Sequence, residues 1–446
     1  MQKKLLTLLI GMSVVLALVA VPLMTACAPS EAPGEPAAPG EPAAPVEPAA
    51  PGEPATPAEP KTVKVGFLSA LTGDAAAWGL PGLYGVEIWV DEVNAAGGLH
   101  VGGDTYLIEI ESYDDEYNAN KAALGAKKLV LEDEVAIVTM MSGGPVIAAR
   151  DFFTEHKVMS TSLMITDIGP DWPYLFALSE ISPLQGMPLY AYVGNSNPGA
   201  TTVALTDPDD VGIRYHFAMS KAGWESVGIE TIYAQMHDPG TIDYAPIATA
   251  MVASGADIMC WDAAWPFAVH LLTEQAQILG FDGPICGYTL DLYPELVERV
   301  GKEYIEGFVF VFPDFDDPAL TPEQNAFYAE YDRLYPGTWS AVSWEYADNL
   351  KIWAKYAEQA GTFNSDEVIK AMRADPNPMG SFGPAQWVGK EVFGVDNALA
   401  SVWPVVQMQD GKAVIVEMAD VAGWYYDNID LLIKHMESMD LMWYQR

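Results

Sequence analysis

From residue 61 onward, the spacing of apolar and polar positions alternates between a two-residue and a helical period. Val63, Val65 and Phe67 alternate with smaller or polar residues over 62–69, the pattern of a strand with one buried face. Residues 70–80 form a polar, glycine-containing loop. Pro81 then suits the first position of a helix, whose apolar face carries Tyr84, Ile88, Trp89 and Val93 until Gly97-Gly98 stops it. The same order recurs. Strands are predicted over 106–113, 135–141 and 158–162. Asn118 caps a helix reaching Leu131, and another covers 146–156. A second unit begins near Pro183, with strands over 202–206, 227–232, 257–261, 284–288 and 307–312. Helices cover 211–222, 244–254 and 265–279, and another follows Pro294. Two longer helical patterns, 322–334 and 340–360, precede short strand-like pieces. The segment 419–446 is helical and aromatic, expected to pack onto the body. Alternating strand and helix means parallel sheets flanked by helices, so the prediction is an α/β protein of two doubly wound parallel-sheet lobes.

The first sixty residues follow neither period. Lys3 and Lys4 precede an apolar run from Leu5 to Leu23 and the small-residue ending Met24-Thr25-Ala26-Cys27. This is the form of an export signal over residues 1–26, with cleavage before Cys27 and lipid attachment to its sulfur. An uncleaved apolar anchor would leave the body on the same side of the membrane. Residues 27–60 repeat units such as Ala32-Pro33-Gly34-Glu35-Pro36-Ala37, too poor in apolar side chains to fold and rich enough in proline to act as an extended spacer.

Charge narrows the partners. Without Lys3, Lys4 and the six linker glutamates, the 386-residue body carries 20 basic and 55 acidic residues, a net charge of −35. Such a surface repels phosphate backbones, which excludes nucleic acid. The body is expected to act as a monomer. Cys260 and Cys286 either pair or remain buried thiols. The six histidines are scattered, and no metal or cofactor is expected.

Candidate chemistry gathers where strands end and helices begin, the place where open parallel sheets bind ligands. Ser142-Gly143-Gly144 follows a strand and precedes a helix, so its amides can face an anion and its glycines admit close approach. Met164 and Thr166 lie after the next strand, and the Thr166 hydroxyl is a further candidate donor.

The ordered series of these segments resembles the leucine/isoleucine/valine-binding family of periplasmic proteins. It runs through 64–73 with Trp78-Gly79, Asn94-Ala95-Ala96-Gly97-Gly98-Leu99, Asp114-Asp115, Ser142-Gly143-Gly144, Ser160-Thr161-Ser162 leading to Thr166, Leu205-Thr206-Asp207 and 275–280. The resemblance implies a type I periplasmic-binding fold with three crossovers, expected near 178–183, 311–314 and 381–384. Lobe 1 would then hold 61–180 and 313–382, and lobe 2 would hold 181–312 and 383–418. It also implies that a ligand carboxylate rests on the Gly143 region, with glycine where the family usually has serine. Trp78 and Trp265 would face the ligand from opposite lobes. Where the family places an acid for an ammonium stands Thr289, with Asp291 two residues on and Asp262 as another nearby carboxylate; Val211 replaces an expected tyrosine. The implied function is capture of a small carboxylate-bearing solute, an amino acid or a related acid or amide, and its delivery to an ABC permease. A sensing protein for a separate receptor is the alternative. A secreted hydrolase is disfavoured, since neither a Gly-x-Ser-x-Gly elbow nor a His-Glu-x-x-His helix is present.

Overall fold

The computed structural model describes residues 59–262 and 264–445; the signal segment, Cys27 and the linker up to residue 58 lie outside the described residues. The first lobe is built on β1 (Lys61–Ser69), followed by α1 (Ala76–Ala95), β2 (Leu99–Val101), β3 (Asp104–Asp114), α2 (Ala119–Leu131), β4 (Ile137–Met140), α3 (Gly143–His156), β5 (Met159–Thr161) and β6 (Leu175–Phe176). Its six strands run in the order β2-β3-β1-β4-β5-β6, all pairs parallel except the β2–β3 hairpin. β1 lies near the middle, and Val65, Phe67 and Leu68 are fully buried beneath helices on both faces.

The second lobe comprises α4 (Met187–Ser196), β7 (Thr202–Pro208), α5 (Ile213–Ser226), β8 (Glu230–His237), α6 (Ala245–Ala253), β9 (Ile258–Cys260), α7 (Pro266–Ile278), β10 (Ile285–Cys286), α8 (Tyr293–Val300) and β11 (Val309–Phe310). The chain then returns to the first lobe as α9 (Pro322–Leu334), α10 (Val342–Ala360) and α11 (Ser365–Ala374). It crosses back as β12 (Met379–Gly380), β13 (Gly383–Val388), the short α12 (Lys390–Phe393), β14 (Ala398–Gln409) and β15 (Lys412–Asp420). These complete a nine-stranded sheet whose β8-β7-β9-β10-β11 portion is parallel and whose β11–β15 portion is antiparallel. Two α/β lobes joined by three crossovers are thus observed.

Several boundaries differ from the sequence expectation. The third crossover lies before β12, not at 381–384, because Met379 and Gly380 already pair with Pro384 and Gly383 in the second sheet. The closing segments are two long strands, β14 and β15, and the C-terminal helices α13 (Val421–Asp427) and α14 (Ile429–Glu437) begin after β15 ends at Asp420. α14 packs on α5 of the second lobe, where Lys434 and His435 both bond Glu225. Cys260 and Cys286, neighbours across β9 and β10, are free and buried.

α1 starts at Ala76, five residues before Pro81, which sits inside the helix. Trp78 is therefore on a helical turn rather than in a loop. The shift follows from packing: a Cβ at Gly79 would lie 1.7 Å from the Ala70 carbonyl oxygen. Gly82 and Gly85 lie one and two turns along the same face, and there a Cβ would meet the Tyr346 ring at 2.2 Å and the Ser343 carbonyl oxygen at 2.0 Å. These three glycines let α1 lie directly on β1's end and on α10. Gly85→Val is expected to destabilise the fold by about 3 kcal/mol through overpacking against backbone, read as a lower urea midpoint; an unchanged midpoint would contradict this helix contact.

Candidate functional site

Four lobe-1 strands end at one cleft. Trp78 comes from the first turn of α1, Tyr117 from the β3–α2 loop, Met141 and Ser142 from the β4–α3 turn, and Leu163 and Met164 from the segment after β5. Facing them from lobe 2 are Ile213 and His216 on α5, Ala264 and Trp265 before α7, and Tyr288 and Thr289 after β10. Glu180 and Ser182 from the first crossover, Phe312 from the second and Val342 at the start of α10 complete a cavity of about 80 Å³.

The walls are aromatic. Trp78 and Trp265 stack across the cleft at 5.0 Å between ring centroids and 26° between planes, and Tyr117 meets Trp265 edge-on at 5.9 Å. Trp78 Nε1 donates to Asp291 Oδ2 at 3.0 Å, and the Thr289 hydroxyl donates to the same oxygen at 2.5 Å. One tryptophan thus joins the lobes by both stacking and a hydrogen bond, with about 1 kcal/mol expected from an aromatic pair beyond its burial.

The polar end lies at the first crossover. Glu180 is 5 % exposed, and Tyr288 donates its hydroxyl to it at 3.2 Å. Against it lies Glu345 of α10, fully buried, its carboxyl group facing that of Glu180. Two carboxylates have no hydrogen bond to share; with one proton between them they do. Burial pushes Glu180 up to about 7 and Glu345 well above the ordinary carboxylate range, the neighbouring Glu180 adding to the latter shift. His216 is 1 % exposed and burial drives it down to about 3, so it is neutral; its Nε2 lies 2.6 Å from the Ser182 hydroxyl. No lysine or arginine is among the described residues lining the cavity.

The profile of the periplasmic binding protein family matches residues 62–413 of this sequence. The chain belongs to that family. It is 24% identical over 392 residues to the Leu/Ile/Val-binding protein homolog 8 of Brucella abortus, covering 79% of this chain and 90% of the relative. Among solved structures, it is similar to the branched-chain amino acid transporter substrate-binding protein LivJ of Streptococcus pneumoniae, determined with isoleucine (TM-score 0.65, 23% identity, 79% and 98% of the two chains). It is also similar to an ABC transporter solute-binding protein of R. palustris, determined with 4-hydroxybenzoate (TM-score 0.65, 21% identity, 80% and 96% of the chains).

As a periplasmic binding protein, this chain arranges its candidate residues unevenly. Trp78, Ser142, Met164, Trp265 and Thr289 line the cavity. Gly143, Gly144, Thr166, Asp262 and Asp291 do not. The Gly143 amide, expected to receive a ligand carboxylate, instead donates to the Asp167 carboxyl at 3.1 Å; Asp167 also accepts from the Ser162 hydroxyl at 2.6 Å. The anion place at the start of α3 is thus filled by the chain's own side chain. Gly143 has φ +63°, strained for any other residue, and a Cβ there would come within 2.7 Å of the Tyr117 hydroxyl, so a serine would have to push that ring aside. Gly144 is half-buried, with open space where a side chain would stand. Thr166 is buried in the short turn Ile165–Asp167. Asp262 points into lobe 2, where Tyr190 and Ser220 donate to it, and burial lifts it to about 6. Asp291 is spent on Trp78 and Thr289 and borders a neighbouring cavity with Tyr293 and Asp314.

Sequence reading missed Glu180, Glu345, Tyr117, His216 and Tyr288. Glu345 gave no clean signal: Asp348 and Asn349 lie one turn on along the same buried face, so it did not stand out as a single charge in an apolar stripe.

Glu180 titrates higher folded than unfolded, so its contribution to stability is complete below about 4.5 and is lost as pH rises through about 7. Thermal melts of the ligand-free protein should therefore fall from pH 5 to pH 8, and Glu180→Gln should flatten the slope. Parallel slopes for the two proteins would refute the buried-acid assignment.

Proposed function

We propose that this chain is an exported, lipid-anchored solute-binding protein that encloses a small molecule between its lobes and delivers it to an ABC permease. The observation that carries this reading is the interlobe cavity walled by Trp78 and Trp265, to which each lobe contributes one ring. Shapes of this kind, largely apolar with few convergent polar groups, suit capture of small ligands. Family membership and the solutes held by the S. pneumoniae and R. palustris proteins support it. Trp78, Ser142, Met164, Trp265 and Thr289 are proposed to touch the solute. Gly144 remains a candidate backbone donor at the rim, whereas Gly143, Thr166 and Asp262 act behind the wall.

The amino-terminal pattern supplies location. Cleavage before Cys27 and acylation of its sulfur would leave the proline-rich segment as a tether that holds the body off the membrane. Among the described residues no helix is long and apolar enough to cross a membrane. The body works as a monomer without cofactor, and no catalytic step is proposed.

Two measurements test this. A thermal-shift screen of small organic acids, amides and amines should yield compounds that raise the melting temperature, and with such a compound small-angle scattering should report compaction through hinge closure. Trp265→Ala should weaken binding at least tenfold while leaving the unliganded melt within a few degrees. Turnover of a compound, or full affinity in Trp265→Ala, would overturn the reading. Separately, Cys27→Ser should abolish fatty-acid labelling and release the protein from the membrane fraction.

A further inference from the structure

We infer that the solute of this cavity is an organic ammonium ion, its positive head against Glu180 and its apolar body against the stacked Trp78–Trp265 pair. The inference deepens the solute-binding reading and rests on it.

Four observations converge. First, the ionisable lining is one-sided: Glu180 is the single carboxyl group on the described wall, no lysine or arginine joins it, and His216 is uncharged. A carboxylate ligand would enter a desolvated space facing Glu180 with no counter-charge, which is costly. Second, the backbone donor that would have received an anion, the Gly143 amide, is satisfied by Asp167. Third, Glu345 stands fully buried behind Glu180, and the two carboxyl groups depend on a proton held between them. An ammonium head at Glu180 lets that carboxyl ionise against a charged partner in place of the shared proton. Fourth, Trp78, Tyr117, Trp265, Tyr288 and Phe312 surround the space. Aromatic faces attract cations through their quadrupoles, most strongly where water is excluded. The body's charge of −35 adds a long-range pull on cations.

The groups facing Glu180 fix the pH response. They are Glu345 from α10, the Tyr288 hydroxyl after β10, Gln185 on the crossover and, farther off, Asp291. None is cationic. Without ligand, Glu180 and Glu345 hold at least one proton between them near neutrality. Arrival of a cation favours the ionised form of Glu180, so binding releases protons below pH 7 and affinity rises from pH 6 to pH 8.

The test is calorimetric titration of the purified full chain with benzylammonium, choline and benzoate at pH 6 and pH 8. At least one of the two cations should bind, at least threefold more tightly at pH 8, with benzoate silent. Glu180→Gln should lower the cation's affinity at least tenfold and remove its pH dependence. Should that variant fail to fold, Glu345→Gln and the wild-type pH series serve in its place: Glu345→Gln leaves a single titrating acid, and the pH dependence should then shift to lower pH. Benzoate binding that Trp265→Ala abolishes would overturn the inference while leaving the solute-binding reading intact. Failure of both cations to bind, or full affinity in Glu180→Gln, would also overturn it. Compaction with none of these probes and with no member of the wider screen would instead count against solute binding itself.

Discussion

The stacking of Trp78 on Trp265 is the contact on which the cleft depends. It needs two unrelated parts of the chain to be placed within 5.0 Å of each other. On one side, Gly79, Gly82 and Gly85 press α1 onto α10 and the end of β1, and this sets the height of Trp78. On the other, Trp265 precedes Pro266 at the start of α7, where proline suits the first helical turn and the residue before it is held extended. The hydrogen bond from Trp78 to Asp291 fixes the ring's rotation.

Behind that wall the chain concentrates acids. Glu180 occupies the first crossover, a segment that must bridge two sheets, and Glu345 occupies the buried face of the helix that brings the chain back to lobe 1. Burying two such groups side by side disfavours folding at high pH, which a protein with few other constraints at that point would avoid. Their retention is understandable if the cleft has to recognise positive charge. In this chain Asp167 fills the start of α3, so the helix offers little to a carboxylate.

The two-lobed architecture was legible in the sequence because strand and helix periods alternate cleanly, and because the glycines at 97–98 and 143–144 punctuate them. Pro81 misled the reading of α1: proline is well placed at a helix start, yet it is tolerated five residues in, and the glycines beside it proved to serve a close helix approach. Trp78, Ser142, Trp265 and Thr289 could be placed near the cavity since they follow strand ends. The Asp167 cap could not be foreseen, for it joins residues 24 positions apart with no pattern in between. Glu180 was equally hidden, since a crossover has no period against which a buried charge would stand out.

The most direct examination of the central claim is a crystal structure of the protein grown with benzylammonium. The nitrogen should lie within hydrogen-bond distance of the Glu180 carboxyl, with the ring against Trp78 or Trp265 and Asp167 still holding the Gly143 amide. A ligand bound outside this cavity, or an anion displacing Asp167 from the start of α3, would contradict the account.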